Sequence, residues 1–147
     1  MASTDKIVRV VLNYFCPSTG TDGDGDLEIY GSLSSVSGSY SGTQRQFKQS
    51  FTLFQRDPNN PDKIQVNVHR NNVGRCLHEM AIGDWLEIGG ILAEQDGVFN
   101  DPLGTYSKIL NYNDIDFTQR SEILTFQDSE QVIQVEFIVR QIAWGVD

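Results

Sequence analysis

Lys6-Ile7-Val8-Arg9-Val10-Val11-Leu12-Asn13-Tyr14-Phe15 places Val8, Val10, Leu12 and Tyr14 on one face of an extended chain. Ile7, Arg9, Val11 and Asn13 fall on the other. A period of two is the signature of a half-buried β-strand, because successive side chains of a strand point to opposite faces. The same period recurs along the chain. Leu27, Ile29 and Leu33 alternate with Glu28, Ser32 and Ser34, and Phe47, Phe51 and Leu53 oppose Lys48, Ser50 and Thr52. Ile64, Val66 and Val68 alternate with Gln65, Asn67 and His69. Ile133, Val135, Phe137 and Val139 oppose Gln134, Glu136 and Arg140 within a closing strand expected over Val132 to Ile142. Further strands are expected at Trp85–Glu94, Tyr106–Asn111 and Glu122–Phe126.

Turn chemistry separates these runs. Ser18 to Asp26 is a Gly/Asp loop, Asp57 to Asp62 a rigid polar turn, and Asn71-Asn72-Val73-Gly74 and Asp96-Gly97 further turn signals. Ser34 to Thr43, rich in Ser and Gly, reads as a mobile hairpin tip. Arg75 to Ile82 is the one segment with helical promise. Seven or eight short strands with such turns predict an all-β fold, an antiparallel β-sandwich of about eight strands. No repeat or composition shift divides the 147 residues, so 1–147 is expected to form one domain.

Composition narrows the function classes. Asp+Glu number 20 against 11 Lys+Arg, a formal net charge of −9. That balance argues against nucleic acid as a partner, since a sequence-independent grip on a phosphate backbone needs a cationic surface. It favours a cation ligand or plain solubility. No apolar run approaches the roughly 18 residues of a membrane-spanning helix. Cys16 and Cys76 are too few for a disulfide framework, and their spacing leaves one bridge and two separate thiols equally open. The N-terminus lacks the pattern of a secretory signal, so the chain is expected either to stay in the cell or to have lost a leader already.

Two acidic segments carry the candidate chemistry. Asp22-Gly23-Asp24-Gly25-Asp26 sets three carboxylates at alternate positions, spaced by glycines that permit the turns needed to close on a hard cation. Three anions held this close are costly without one. The spacing does not fit an EF-hand, whose sixth and twelfth positions would be Leu27 and Leu33. The second segment runs Glu94-Gln95-Asp96-Gly97-Val98-Phe99-Asn100-Asp101-Pro102-Leu103-Gly104 after a strand.

This second segment resembles the calcium loop of the C2 domain family, a β-sandwich whose late strand runs into an Asp-x-Asp loop. Glu94, Asp96 and Asp101 match its acids in order, and Leu103-Gly104 matches its hydrophobic-Gly close. Here the first acid is Glu, and the gap to Asp101 is one residue shorter than usual. The family's other calcium loop joins early strands, a part that Asp22, Asp24 and Asp26 could play. The resemblance implies calcium as the cofactor, held by Asp22, Asp24, Asp26, Glu94, Asp96 and Asp101, with Phe99 as an apolar contact. It requires the two loops to meet at one end of the sandwich.

Catalysis finds little support. His78-Glu79-Met80-Ala81-Ile82 has Ile82 where a zinc-protease helix needs its second His. No Gly-x-Ser-x-Gly elbow is present, and His69 and His78 read as surface or structural residues. Phe15, Tyr14, Tyr30, Phe47, Phe51, Phe54, Trp85, Phe117, Phe126, Phe137 and Trp144 are expected in the core, while Tyr40, Phe99 and Tyr106 lie in or beside loops. The leading expectation is a non-catalytic, calcium-dependent module that binds a phospholipid membrane or a glycan. The alternative is a structural or assembly β-sandwich of a toxin or secreted complex, indifferent to the ion, with a protein partner or a homo-oligomer.

Overall fold

A computed structural model describes residues 3–18, 26–96, 99–128 and 131–146. Nine strands are described, β1 (Lys6–Ser18), β2 (Asp26–Ser41), β3 (Gln44–Arg56), β4 (Asp62–Gln65), β5 (His69–Met80), β6 (Trp85–Asp96), β7 (Phe99–Asn111), β8 (Arg120–Gln127) and β9 (Val132–Trp144). A 3-10 turn, Tyr112–Asp114, follows β7 on the way to β8. All pairings are antiparallel. Sheet A has the order β5-β1-β9-β8; sheet B has the order β3-β2-β6-β7, with β4 also pairing β2. The all-β sandwich expected from alternation is therefore the fold.

The alternating residues meet where the sheets face each other. Val8, Val10, Leu12 and Tyr14 of β1 and Ile133, Val135, Phe137 and Val139 of β9 are buried. They join Leu27, Ile29, Leu86, Ile88 and Leu92 of sheet B in one apolar cluster. Each such side chain contributes about 1.5–3 kcal/mol on leaving water. Lys108 reaches from β7 to Glu122 of β8 at 2.6 Å, closing one open side of the sandwich. Tyr106 and Phe126 pack edge to face across the same seam.

Several local expectations are corrected. Ser34 to Thr43 is no mobile tip: β2 runs to Ser41, and only Gly42 and Thr43 turn. Its small side chains let the sheets approach, so Ser35 and Ser37 are buried and both bond the His78 imidazole at 2.7 Å. Arg75 to Ile82 is not helical. Its residues through Met80 belong to β5, which turns Cys76, His78 and Met80 towards the core while Leu77 is half exposed. Asn71 to Gly74 also lies within β5, with the positive φ of Asn72 absorbed where the register against β1 shifts.

β4 stops at Gln65, and Val68 is exposed. Asn67, at φ 65°, donates its N–H to the Cys16 carbonyl instead of continuing the strand. Phe47, Phe117 and Trp144 are not core residues, since all three are exposed; Phe117 and Trp144 instead pack on each other at 5.9 Å. No disulfide joins the cysteines. Val10 lies opposite Cys76, and Cys16 is six residues farther along β1, about 20 Å away at a strand's rise. A bridge needs Cα atoms within about 7 Å.

Candidate functional site

The sheet register decides where the acids go. In β2 and β6, Ile29 lies opposite Glu94; in β6 and β7, Glu94 lies opposite Asp101. β2 begins three residues before Ile29, at Asp26, and β6 ends two residues after Glu94, at Asp96. The strands are antiparallel neighbours, so both ends point the same way and the strands stand about 4.8 Å apart. Asp26 and Asp96 therefore mark the same end of sheet B. Of the two acidic segments, the described strand ends Asp26 and Asp96 are thus brought to one edge by the backbone.

Among the six proposed ligands, the side chains of Glu94 and Asp101 are described. They occupy directly opposed positions, which places both on the face of Ile29, itself buried towards the core. Glu94 is 4% exposed and Asp101 half-buried. The expectation of a long loop from Glu94 to Gly104 is corrected: Glu94 and Asp96 belong to β6, and Asp101, Leu103 and Gly104 to β7. Alternation explains the difference, since Leu92, Glu94 and Leu103 fall on the buried face. Like charges opposed across a ladder destabilise it, and burial of one of them raises that cost. A bound cation or a proton would relieve it.

Asp22 and Asp24 lie outside the described residues. Asp26, Asp96 and Phe99 are placed by their backbone alone, as strand ends. Among the described residues no three His, Cys, Asp or Glu side chains gather as a metal group.

Two other polar constellations were not legible as such in the sequence. Ser35, His78 and Ser37 form a buried chain in which burial lowers the His78 imidazole to about 4. Its members are at most 1% exposed, so a substrate has no approach to it. The Cys76 thiol is pushed up to about 11, chiefly by burial, which keeps it protonated and a poor nucleophile. The second constellation is a groove of about 400 Å³ on the side where β3 and β5 leave the sandwich open. Tyr14 donates its hydroxyl there to Asp62, which also faces Arg70 at 3.9 Å. Burial and that carboxylate together raise the Tyr14 hydroxyl far above its ordinary value.

No protein-family model and no curated protein matches this chain. It aligns over 97% of its length, at 14% identity and a TM-score of 0.45, with 18% of a human GIVD cytosolic phospholipase A2 chain bound to methyl gamma-linolenyl fluorophosphonate. It aligns over 94% of its length, at 11% identity and a TM-score of 0.38, with 96% of the C2A domain of a plant extended synaptotagmin 1. The chain thus spans under a fifth of the phospholipase. Likeness at these values carries no argument about ligand or activity, and the sandwich rests on its own strand pairing.

Proposed function

We propose that this chain is a non-catalytic binding module that takes calcium at the acidic end of sheet B and engages a phospholipid surface through it. Asp22, Asp24, Asp26, Glu94, Asp96 and Asp101 supply the oxygen ligands, and Phe99 is the apolar contact. Calcium accepts six to eight oxygens in flexible geometry, which suits carboxylates from several segments. The ion supplies positive charge where a chain of net charge −9 has little, and so bridges to headgroup phosphates. One observation carries the proposal: Asp26 and Asp96 end adjacent antiparallel strands at the same edge, beside the opposed pair Glu94 and Asp101.

The test is thermal unfolding in chelator and then in calcium, since a ligand that binds only the folded state raises the melting temperature. At a hundredfold excess over Kd the gain is about 2.7 kcal/mol, or roughly 5–10 °C for a domain of this size. Sedimentation with anionic vesicles should then require calcium. No shift at millimolar calcium, or an unchanged shift in the double variant Asp24→Ala/Asp96→Ala, removes the ion site.

An assembly module is the second reading, favoured by β3. Among the described strands this 13-residue edge strand pairs with β2 alone and exposes Phe47 at 69%, and edge strands of that kind readily accept a further chain. Stable oligomers in size-exclusion chromatography, indifferent to chelator, would favour it over the calcium module.

A further inference from the structure

We propose that the outer face of sheet A binds a phosphomonoester anion between Arg9, Arg75 and Arg140, independently of calcium. The three arginines are far apart in sequence and are brought to one face by the register. Arg9 of β1 lies directly opposite Arg140 of β9 on one side and Leu77 of β5 on the other. Val11, two residues along β1, lies opposite Arg75. Opposed residues share a face, as do residues two apart, so all three arginines stand on the side away from the buried Val8 and Val10. Directly opposed Cα atoms are about 5 Å apart, and diagonal neighbours about 7–8 Å.

These charges lack compensation. Among the described residues no ion pair involves Arg9, Arg75 or Arg140. The Arg9 Nε is buried with no hydrogen-bond partner, an expensive condition for a charged donor. Arg140 gives its Nε–H to the Phe117 carbonyl at 2.8 Å, which fixes its guanidinium and leaves its terminal nitrogens to act elsewhere. Two acids share the face, each engaged elsewhere. Glu136 is held by Asn13 and Ser121, and Glu79, opposite Ile7, is the other diagonal neighbour of Arg9, with its carboxylate turned towards Gly145. Three of the eleven cationic side chains of an acidic protein thus converge with Glu79 at one edge and, among the described residues, no carboxylate paired to any of them.

A depression of about 370 Å³ lies at the cluster, lined by Arg9, Arg75, Cys76 and Leu77. Like charges opposed across a ladder are unfavourable, and an anion seated there reverses the sign of the effect. Guanidiniums arriving from three strands suit a tetrahedral dianion, whose oxygens accept from several directions, better than a planar carboxylate. A phosphorylated lipid headgroup and a soluble phosphate ester share this chemistry.

The experiment follows the arginine Nε–H signals by NMR in chelator, titrating inorganic phosphate at ionic strength held constant with sodium chloride. The Arg9 signal should shift saturably, half-saturating near or below about 1 mM. Affinity should fall at least tenfold in Arg75→Gln/Arg140→Gln, whose exposed sites leave folding, checked by circular dichroism, intact. A parallel arm sediments the protein in chelator with phosphatidylcholine vesicles containing phosphatidic acid. Retention lost in the double variant identifies a lipid headgroup, whereas saturation by phosphate without retention identifies a soluble ester; both sustain the site. A drift that never saturates, or saturation unchanged in the double variant, overturns it. Chelator is present throughout, so failure of the calcium proposal leaves this result unaffected.

Discussion

Glu94 and Asp101 oppose each other across the β6–β7 ladder, with the Glu94 carboxylate 4% exposed at the end of the core. Two acids in this relation repel when both are ionised, and the repulsion is greater away from water. Asp101→Asn should therefore have opposite effects in two conditions. In chelator it raises the melting temperature by about 1–3 °C, the scale of a cross-strand like-charge pair. With calcium present it shrinks the ion's stabilising increment. A scan of both proteins in both buffers checks the sign reversal, and parallel behaviour in the two buffers would refute it.

His78 should make stability depend on pH above the carboxylate range. Burial lowers its folded-state value from 6.5 to about 4, so the folded protein holds the neutral imidazole while the unfolded chain takes up a proton near 6.5. The stabilising contribution is complete above 6.5 and is lost as pH falls towards 4, by up to about 1.4 kcal/mol per unit. Urea midpoints should drop between pH 7 and pH 5 in the parent protein. In His78→Gln that decline should flatten.

Lys6 is a buried cation held by carbonyls. Its Nζ donates to the carbonyls of Tyr112 at 2.8 Å and Ile115 at 2.5 Å, and sits 4.0 Å above the Tyr112 ring. Lys6→Met keeps the apolar stem but deletes these bonds, each worth about 1.5–3 kcal/mol with a charged donor. Denaturant titration should show a loss of at least about 2 kcal/mol. Hydrogen exchange should accelerate first around residues 112–116.

Gly38 is a close-approach position. A Cβ there would stand 1.8 Å from the Gln46 carbonyl oxygen and 2.7 Å from the Trp85 ring, which is itself fully buried. Backbone cannot yield as a flexible side chain does, so Gly38→Ala should cost about 1–3 kcal/mol, as overpacking does. Trp85 fluorescence should report the displacement, and unchanged emission with unchanged stability would contradict the packing described.

β1 and β9 were legible because every second residue, Val8, Val10 and Leu12 in one and Ile133, Val135, Phe137 and Val139 in the other, is large, apolar and buried. β5 was not. Its inward Cys76 and His78 are small or polar, while Leu77 faces out, so hydrophobicity shows no period although the side chains alternate. The second half of β2 was hidden in the same way, by serines buried against His78 rather than by apolar side chains.

By itself the sequence determined the all-β class and the identity of the acidic segments, because period-two patterning and Gly/Asp turns are local properties. Tertiary structure decided what those segments meet. The adjacency of β2 and β6 brings Asp26 and Asp96 to one end, and alternation along β6 buries Glu94, which the linear motif had placed in a loop. The arginine face lay further beyond reach, since 66 residues separate Arg9 from Arg75 and 65 separate Arg75 from Arg140. Net charge averages over the whole chain, whereas a local field depends on which strands the sheet order makes neighbours.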